Sequence, residues 1–72
     1  MYKAYLTKSL EQLTDEIYIG TFDTREEAFK AAYKAHKNRG YCVEPYSRGI
    51  LNPDGLYYDV GDWSHFIAIL YV

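Results

Sequence analysis

Only one stretch of this 72-residue chain carries a helical period, residues 24–38. Thr24 and Glu27 have the spacing of a capping box, with Asp23 as an alternative N-cap. Glu26 and Glu27 fall in the first turn, where carboxylates favour the positive end of the helix dipole. Lys37 and Arg39 fall at the other end, and Gly40 is placed to stop the helix. At 100° per residue, Ala28, Ala31, Ala32 and Ala35 form the centre of an apolar stripe with Phe29 on its flank. Glu26, Glu27, Lys30, Lys34 and Lys37 form the solvated side. One helix and no second candidate limit the chain to a helix lying on one face of a sheet.

The rest reads as short strands. Residues 2–7 and 16–22 alternate as strands, and the short connection between them favours an antiparallel hairpin. Within that connection Ser9 and Gln12 have capping-box spacing, so a helical turn and a plain loop are both open. Residues 41–46 read as a third strand, at an edge or ending at Pro45, which cannot donate to a ladder. Residues 47–55 read as a loop whose end, Asn52-Pro53-Asp54-Gly55, is a strong turn signal. Residues 56–60 and 65–71 complete the set, with Gly61-Asp62 turning the chain between them. The expected fold is α+β over residues 1–72 as one domain. It has a single, mainly antiparallel sheet, order β-β-α-β-β-β along the chain, with one helix on one face.

The last strand then poses a question. Phe66, Ala68 and Leu70 alternate with Ile67, Ile69 and Tyr71, so it is apolar on both faces. A strand with one wet face should alternate apolar and polar residues. Tyr5, Tyr18 and Tyr57 are expected with Ile67, Ile69 and Tyr71 on the face the helix cannot reach. Three coverings suit such a face: the 47–55 loop with Ile50 and Leu51, a second copy packing as a homodimer, or another protein. Tyr46, Arg48 and Trp63 join these residues as interface candidates, because Tyr, Arg and Trp are common interface anchors.

Composition narrows the function classes. Aromatic residues make up 18% of the chain and nine of them are tyrosines, which suit half-wet surfaces as well as thin cores. A net charge of −2 argues against non-specific duplex DNA binding. One cysteine, Cys42, permits no internal disulfide and fits a reducing compartment. The start shows no signal-peptide core, and the longest apolar run, residues 66–72, is too short to span a bilayer. The expected location is cytoplasmic.

Chemistry-bearing clusters are weak. Asp59, Asp62 and His65, spaced three apart, offer two carboxylates and an imidazole to a metal, but Asp beside Gly is ordinary turn chemistry. Cys42 could pair with His36 or His65 as a nucleophile, though cysteine is also a common buried residue. Lys30, Lys34 and Lys37 could track phosphates, but Glu26 and Lys30 form an ordinary i,i+4 pair. The glycines are scattered, with no phosphate-binding loop. No catalytic, metal or cofactor-binding residue is assigned, and no enzyme activity is expected.

The segment Gly20-Thr21-Phe22-Asp23-Thr24-Arg25-Glu26-Glu27-Ala28 resembles the strand-to-helix junction of the plant ethylene-response-factor DNA-binding domain. With the Tyr58–Trp63 echo of Ile17–Phe22, it also resembles the sporulation-related peptidoglycan-binding repeat. The first family needs three strands with arginines and tryptophans before its helix, and the second needs another helix. Neither is present, so both resemblances imply a strand–turn–helix unit and no function. The expected function is a small protein-binding or adaptor module, acting as a homodimer through the sheet face not covered by the helix. Such a chain suits a phage or mobile-element accessory protein. The alternative is a nucleic-acid-associated protein using the basic side of the helix.

Overall fold

The computed structural model describes residues 1–41, 48–62 and 64–72. Five strands and one helix follow in the order β1 (Tyr2–Thr7), β2 (Ile17–Phe22), α1 (Arg25–Asn38), β3 (Arg48–Asn52), β4 (Gly55–Asp59) and β5 (Phe66–Tyr71). The strands form one antiparallel sheet in the spatial order β2-β1-β5-β4-β3. The expected α+β class and the β-β-α-β-β-β order are both present.

The helix is capped at both ends by its own residues. The Thr24 hydroxyl accepts the Glu27 N–H at 3.1 Å and donates to Glu27 Oε1 at 2.9 Å. At the other end Gly40 adopts a positive φ of 82°. Its N–H bonds to the Lys37 carbonyl at 3.0 Å, and the Tyr41 N–H bonds to the His36 carbonyl at 3.3 Å. That is the Schellman closure, in which a residue without Cβ takes the left-handed position.

α1 turns Ala28, Ala32 and His36 inward, one turn apart, and all three are fully buried. The two alanines pack with Ala4 and Leu6 of β1, Val60, and Ile67 and Ile69 of β5. Register decides which face those residues take. In the β1–β5 pairing Leu6 stands opposite Ile67 and Ala4 opposite Ile69. Directly opposed residues share a face, so Ile67 and Ile69 follow Leu6 toward the helix. A register shift between Ala4 and Tyr5 leaves Ile19 as the extra residue of a bulge on β2. Ile17 and Ile19 both pack against the helix-side core.

Three expectations are corrected here. Ile67 and Ile69 are core residues beneath α1 and do not line the uncovered face; Tyr71 lies on the helix side with them. Within the expected 47–55 loop, Arg48–Asn52 is itself strand β3, hairpinned onto β4, and does not fold over the sheet. The far face is covered by a segment not considered for that role, the connection between β1 and β2. Thr7, Tyr57 and Ala68 on that face are fully buried. The Thr7 hydroxyl accepts the Thr14 N–H at 2.9 Å, and Asn52 Nδ2 donates to the Leu10 carbonyl at 2.7 Å. The Lys8 N–H closes the loop on the Thr14 carbonyl at 3.0 Å. The strand expected at 41–46 falls, beyond Tyr41, outside the described residues.

Candidate functional site: the strip of sheet that the helix leaves bare

An α-helix with its side chains is about 10–12 Å wide. Five strands spaced about 4.8 Å apart make a sheet roughly twice that width. One helix therefore covers half the sheet, and here α1 lies over β2, β1 and β5. It reaches β4 through Phe29, whose ring sits 4.7 Å from that of Tyr58. The helix side of the β3–β4 hairpin lies beyond it.

Register names the residues on that strip. Leu51 stands opposite Leu56, and Gly49 opposite Tyr58, all four on the helix side. Leu51 is 80% exposed and Tyr71, on the same face, is 71% exposed. Between helix and strip runs a groove in two parts that share Arg25. One, of about 310 Å³, is lined by Arg25, Glu26, Phe29, Lys30 and Tyr58. The other, of about 190 Å³, is lined by Tyr2, Arg25, Leu51, Gly55, Leu56, Ile69 and Tyr71. The floor is aromatic and aliphatic, and the charges stand on the helical rim. Burial pushes the Tyr58 phenol above its ordinary range, so it stays neutral in the groove floor.

The expected interface residues are divided by this geometry. Tyr5 and Tyr18 share the far face, with ring centroids 5.5 Å apart, and Tyr18 is exposed. The Tyr18 hydroxyl bonds to Thr21 Oγ1. Tyr57 belongs to the same face but is buried, and its hydroxyl donates to Asp54 Oδ2 at 2.8 Å. Burial first, and then the Asp54 carboxylate, hold its proton on more tightly than usual. Arg48 also lies on the far face, 3.4 Å from Asp59 in an ion pair whose arginine is well exposed. Tyr46 and Trp63 lie outside the described residues, as does Cys42. Leu51, Leu56, Gly49 and Tyr58 are not recognisable as a site from sequence, because a loop over residues 47–55 would give them no shared sheet face.

The remaining chemistry resolves into turns. Asp62 Oδ1 accepts the Ser64 N–H at 2.8 Å and the His65 N–H at 3.2 Å. Asp59 Oδ1 accepts the Gly61 N–H at 3.0 Å. Among the described residues no three His, Cys, Asp or Glu side chains converge as a metal site. A hollow of about 400 Å³ beside Leu10, Arg48, Asp59, Asp62 and Phe66 has its arginine matched by Asp59. Lys30, Lys34 and Lys37 are exposed on the same helix as exposed Glu26 and Glu27. No described helix is long and apolar enough to cross a membrane.

His36 forms the most unusual polar site. Its ring is fully buried, with Nε2 3.3 Å from the His65 carbonyl, which can only accept. Nε2 therefore carries the proton, and Nδ1 is a buried acceptor with no hydrogen-bond partner among the described residues. The Tyr41 ring meets His36 edge-on at 5.1 Å and stacks on His65 at 3.9 Å. Burial lowers the His36 pKa, against smaller opposing pulls from the His65 carbonyl and Asp62.

Comparison with known proteins found no matching family model, no matching curated protein and no matching solved structure.

Proposed function

We propose that this chain is a small, non-enzymatic protein-binding module whose contact surface is the strip of sheet left bare by α1. The observation that carries the reading is the placement of Leu51 and Tyr71. Two large apolar side chains stand mostly in solvent on one face, beside a groove floored by Leu56, Ile69 and Tyr58. Exposed apolar residues grouped around a hollow are the mark of a docking surface; single scattered ones are not. The partner that suits it presents an apolar side chain to the groove and a strand edge to β3.

Hydroxyl-radical footprinting tests the reading. The wild-type chain is labelled in dilute buffer and again in extract of its native host. Protection is expected at Leu51, Leu56 and Tyr71, and the protection of Leu56 should vanish in a Leu51→Lys/Tyr71→Lys variant. Protection centred on Tyr5 and Tyr18 would move the binding surface to the far face and overturn it.

A further inference from the structure

We propose that the Asp54–Gly55 linkage is a site of spontaneous aspartate isomerisation, and that the Tyr57 hydroxyl restrains it by holding the Asp54 carboxylate away from the Gly55 nitrogen.

An aspartate followed by glycine is the least hindered place for a backbone to attack its own side chain, because glycine puts nothing beside the attacking nitrogen. Asp54–Gly55 is the one Asp-Gly or Asn-Gly step in the chain. It lies at the tip of the β3–β4 hairpin, with Asp54 exposed to water. A larger residue after the aspartate would slow the reaction, but the fold does not admit one. A Cβ on Gly55 would lie 2.3 Å from the Ile69 carbonyl oxygen and 3.0 Å from the Leu70 Cα. Close backbone approach keeps the glycine, and with it the reactive step.

In the reaction the Gly55 amide nitrogen loses its proton and attacks Asp54 Cγ. The Cγ–N bond forms, a Cγ–O bond breaks and that oxygen leaves as water, which gives a five-membered imide. Water then opens the ring. Opening at the main-chain carbonyl leaves the backbone running through Cβ and Cγ, an isomer of unchanged mass. Opening at Cγ restores the aspartate. No oxidant, reductant or other co-reactant is needed. Ring closure requires the carboxyl group to swing over the Gly55 nitrogen. The Tyr57 hydroxyl opposes that swing, donating to Asp54 Oδ2 at 2.8 Å from a ring that is itself fully buried. Burial, and then Asp54 itself, keep the proton on the phenol, so the tie holds through the neutral range. Gly55 is meanwhile paired with Asn52 in the hairpin register. A β-linked Asp54 lengthens the turn by one methylene, which works against that pairing and against the bond from Asn52 Nδ2 to the Leu10 carbonyl.

Incubation of the folded chain at 37 °C and neutral pH, followed by digestion and electron-transfer fragmentation, reads the β-linked product at this one step. Tyr57→Phe keeps the ring and removes the hydroxyl. It should form β-linked Asp54 roughly tenfold faster than the wild type, the factor for losing one hydrogen bond to a charged acceptor. Val60→Ala, a fully buried position just beyond the other end of β4, separates the tie from general loosening. It lowers stability and should leave the slow rate in place. A Tyr57→Phe rate equal to or below that of the wild type overturns the role of Tyr57. So does a Val60→Ala rate as high as that of Tyr57→Phe. Absence of β-linked Asp54 even after incubation in urea overturns the site.

Discussion

At the scale of single residues, two positions carry more than their size suggests. Gly55 opens β4 opposite Leu70. A Cβ there would lie 2.3 Å from the Ile69 carbonyl oxygen and 3.0 Å from the Leu70 Cα. Both are backbone atoms of a central strand and cannot step aside. Gly55→Ala should lower stability by roughly 2–3 kcal/mol, in the range of other overpacking changes, measured by urea denaturation. Gly49→Ala, with only a side-chain ring nearby, should change it far less. His36 is the second position. Its folded pKa is lowered, so the unfolded chain takes up the proton first. Its contribution is complete above the ordinary histidine pKa of about 6.5 and is lost as pH falls below that, until the folded ring also protonates. Thermal melts from pH 7.5 to 5 should show the wild type losing stability faster than His36→Phe. Parallel slopes would mean that carboxylates alone set the acid limb.

At the scale of elements, the connection between β1 and β2 works as the third layer. Leu10 and Leu13 are half-buried where the chain crosses the far face, and Thr7 fixes the loop with a hydroxyl that accepts the Thr14 N–H. Thr7→Val keeps the volume and removes that acceptor, which leaves a part-buried N–H unmatched. A loss of about 1–3 kcal/mol is expected, with faster hydrogen exchange at Thr14 and its neighbours and little change in α1. Sequence alone showed α1 to within its cap because Thr24, the alanine stripe and Gly40 all point to the same boundaries. It showed β1 completely for a similar reason. It failed at β3, where Gly49 dilutes a five-residue strand holding only two large apolar side chains. The Asn52-Pro53-Asp54-Gly55 turn was legible, and a hairpin turn implies a strand on each side, yet only the following strand was read. The facing of β5 was beyond reach for a different reason. A strand apolar on both sides has no pattern to orient it, and only its pairing with β1 sends Ile67 and Ile69 to the helix. That facing puts two core residues, Ile67 and Ile69, among the expected interface residues.

At the scale of the whole molecule, coverage of the sheet is uneven. The far face is closed by a loop, and the helix side is closed over three strands of five. The fully buried core contains few large side chains, chiefly Leu6, Tyr57, Ile67, His36 and Val60. A chain this short buries only roughly 60% of its unfolded surface, so its own core leaves a narrow margin. With one cysteine it has no internal disulfide to widen that margin. Self-association that buried Leu51 would add to that margin. Stability then becomes a function of concentration, because anything that binds only the folded chain shifts the folding equilibrium by mass action. For a dimer unfolding to two free chains, each tenfold rise in concentration above the dissociation constant should raise Tm by roughly 3–5 °C for a domain of this size. Calorimetry over a hundredfold range of concentration reads this directly. Leu51→Lys should remove the dependence and melt at the wild type's low-concentration limit, because Leu51 in the single chain is mostly in solvent and contributes little to folding alone. A wild-type Tm that does not move with concentration would place all of the stability within one copy. The loop over Tyr57 and the alanine-lined helix would then have to suffice alone.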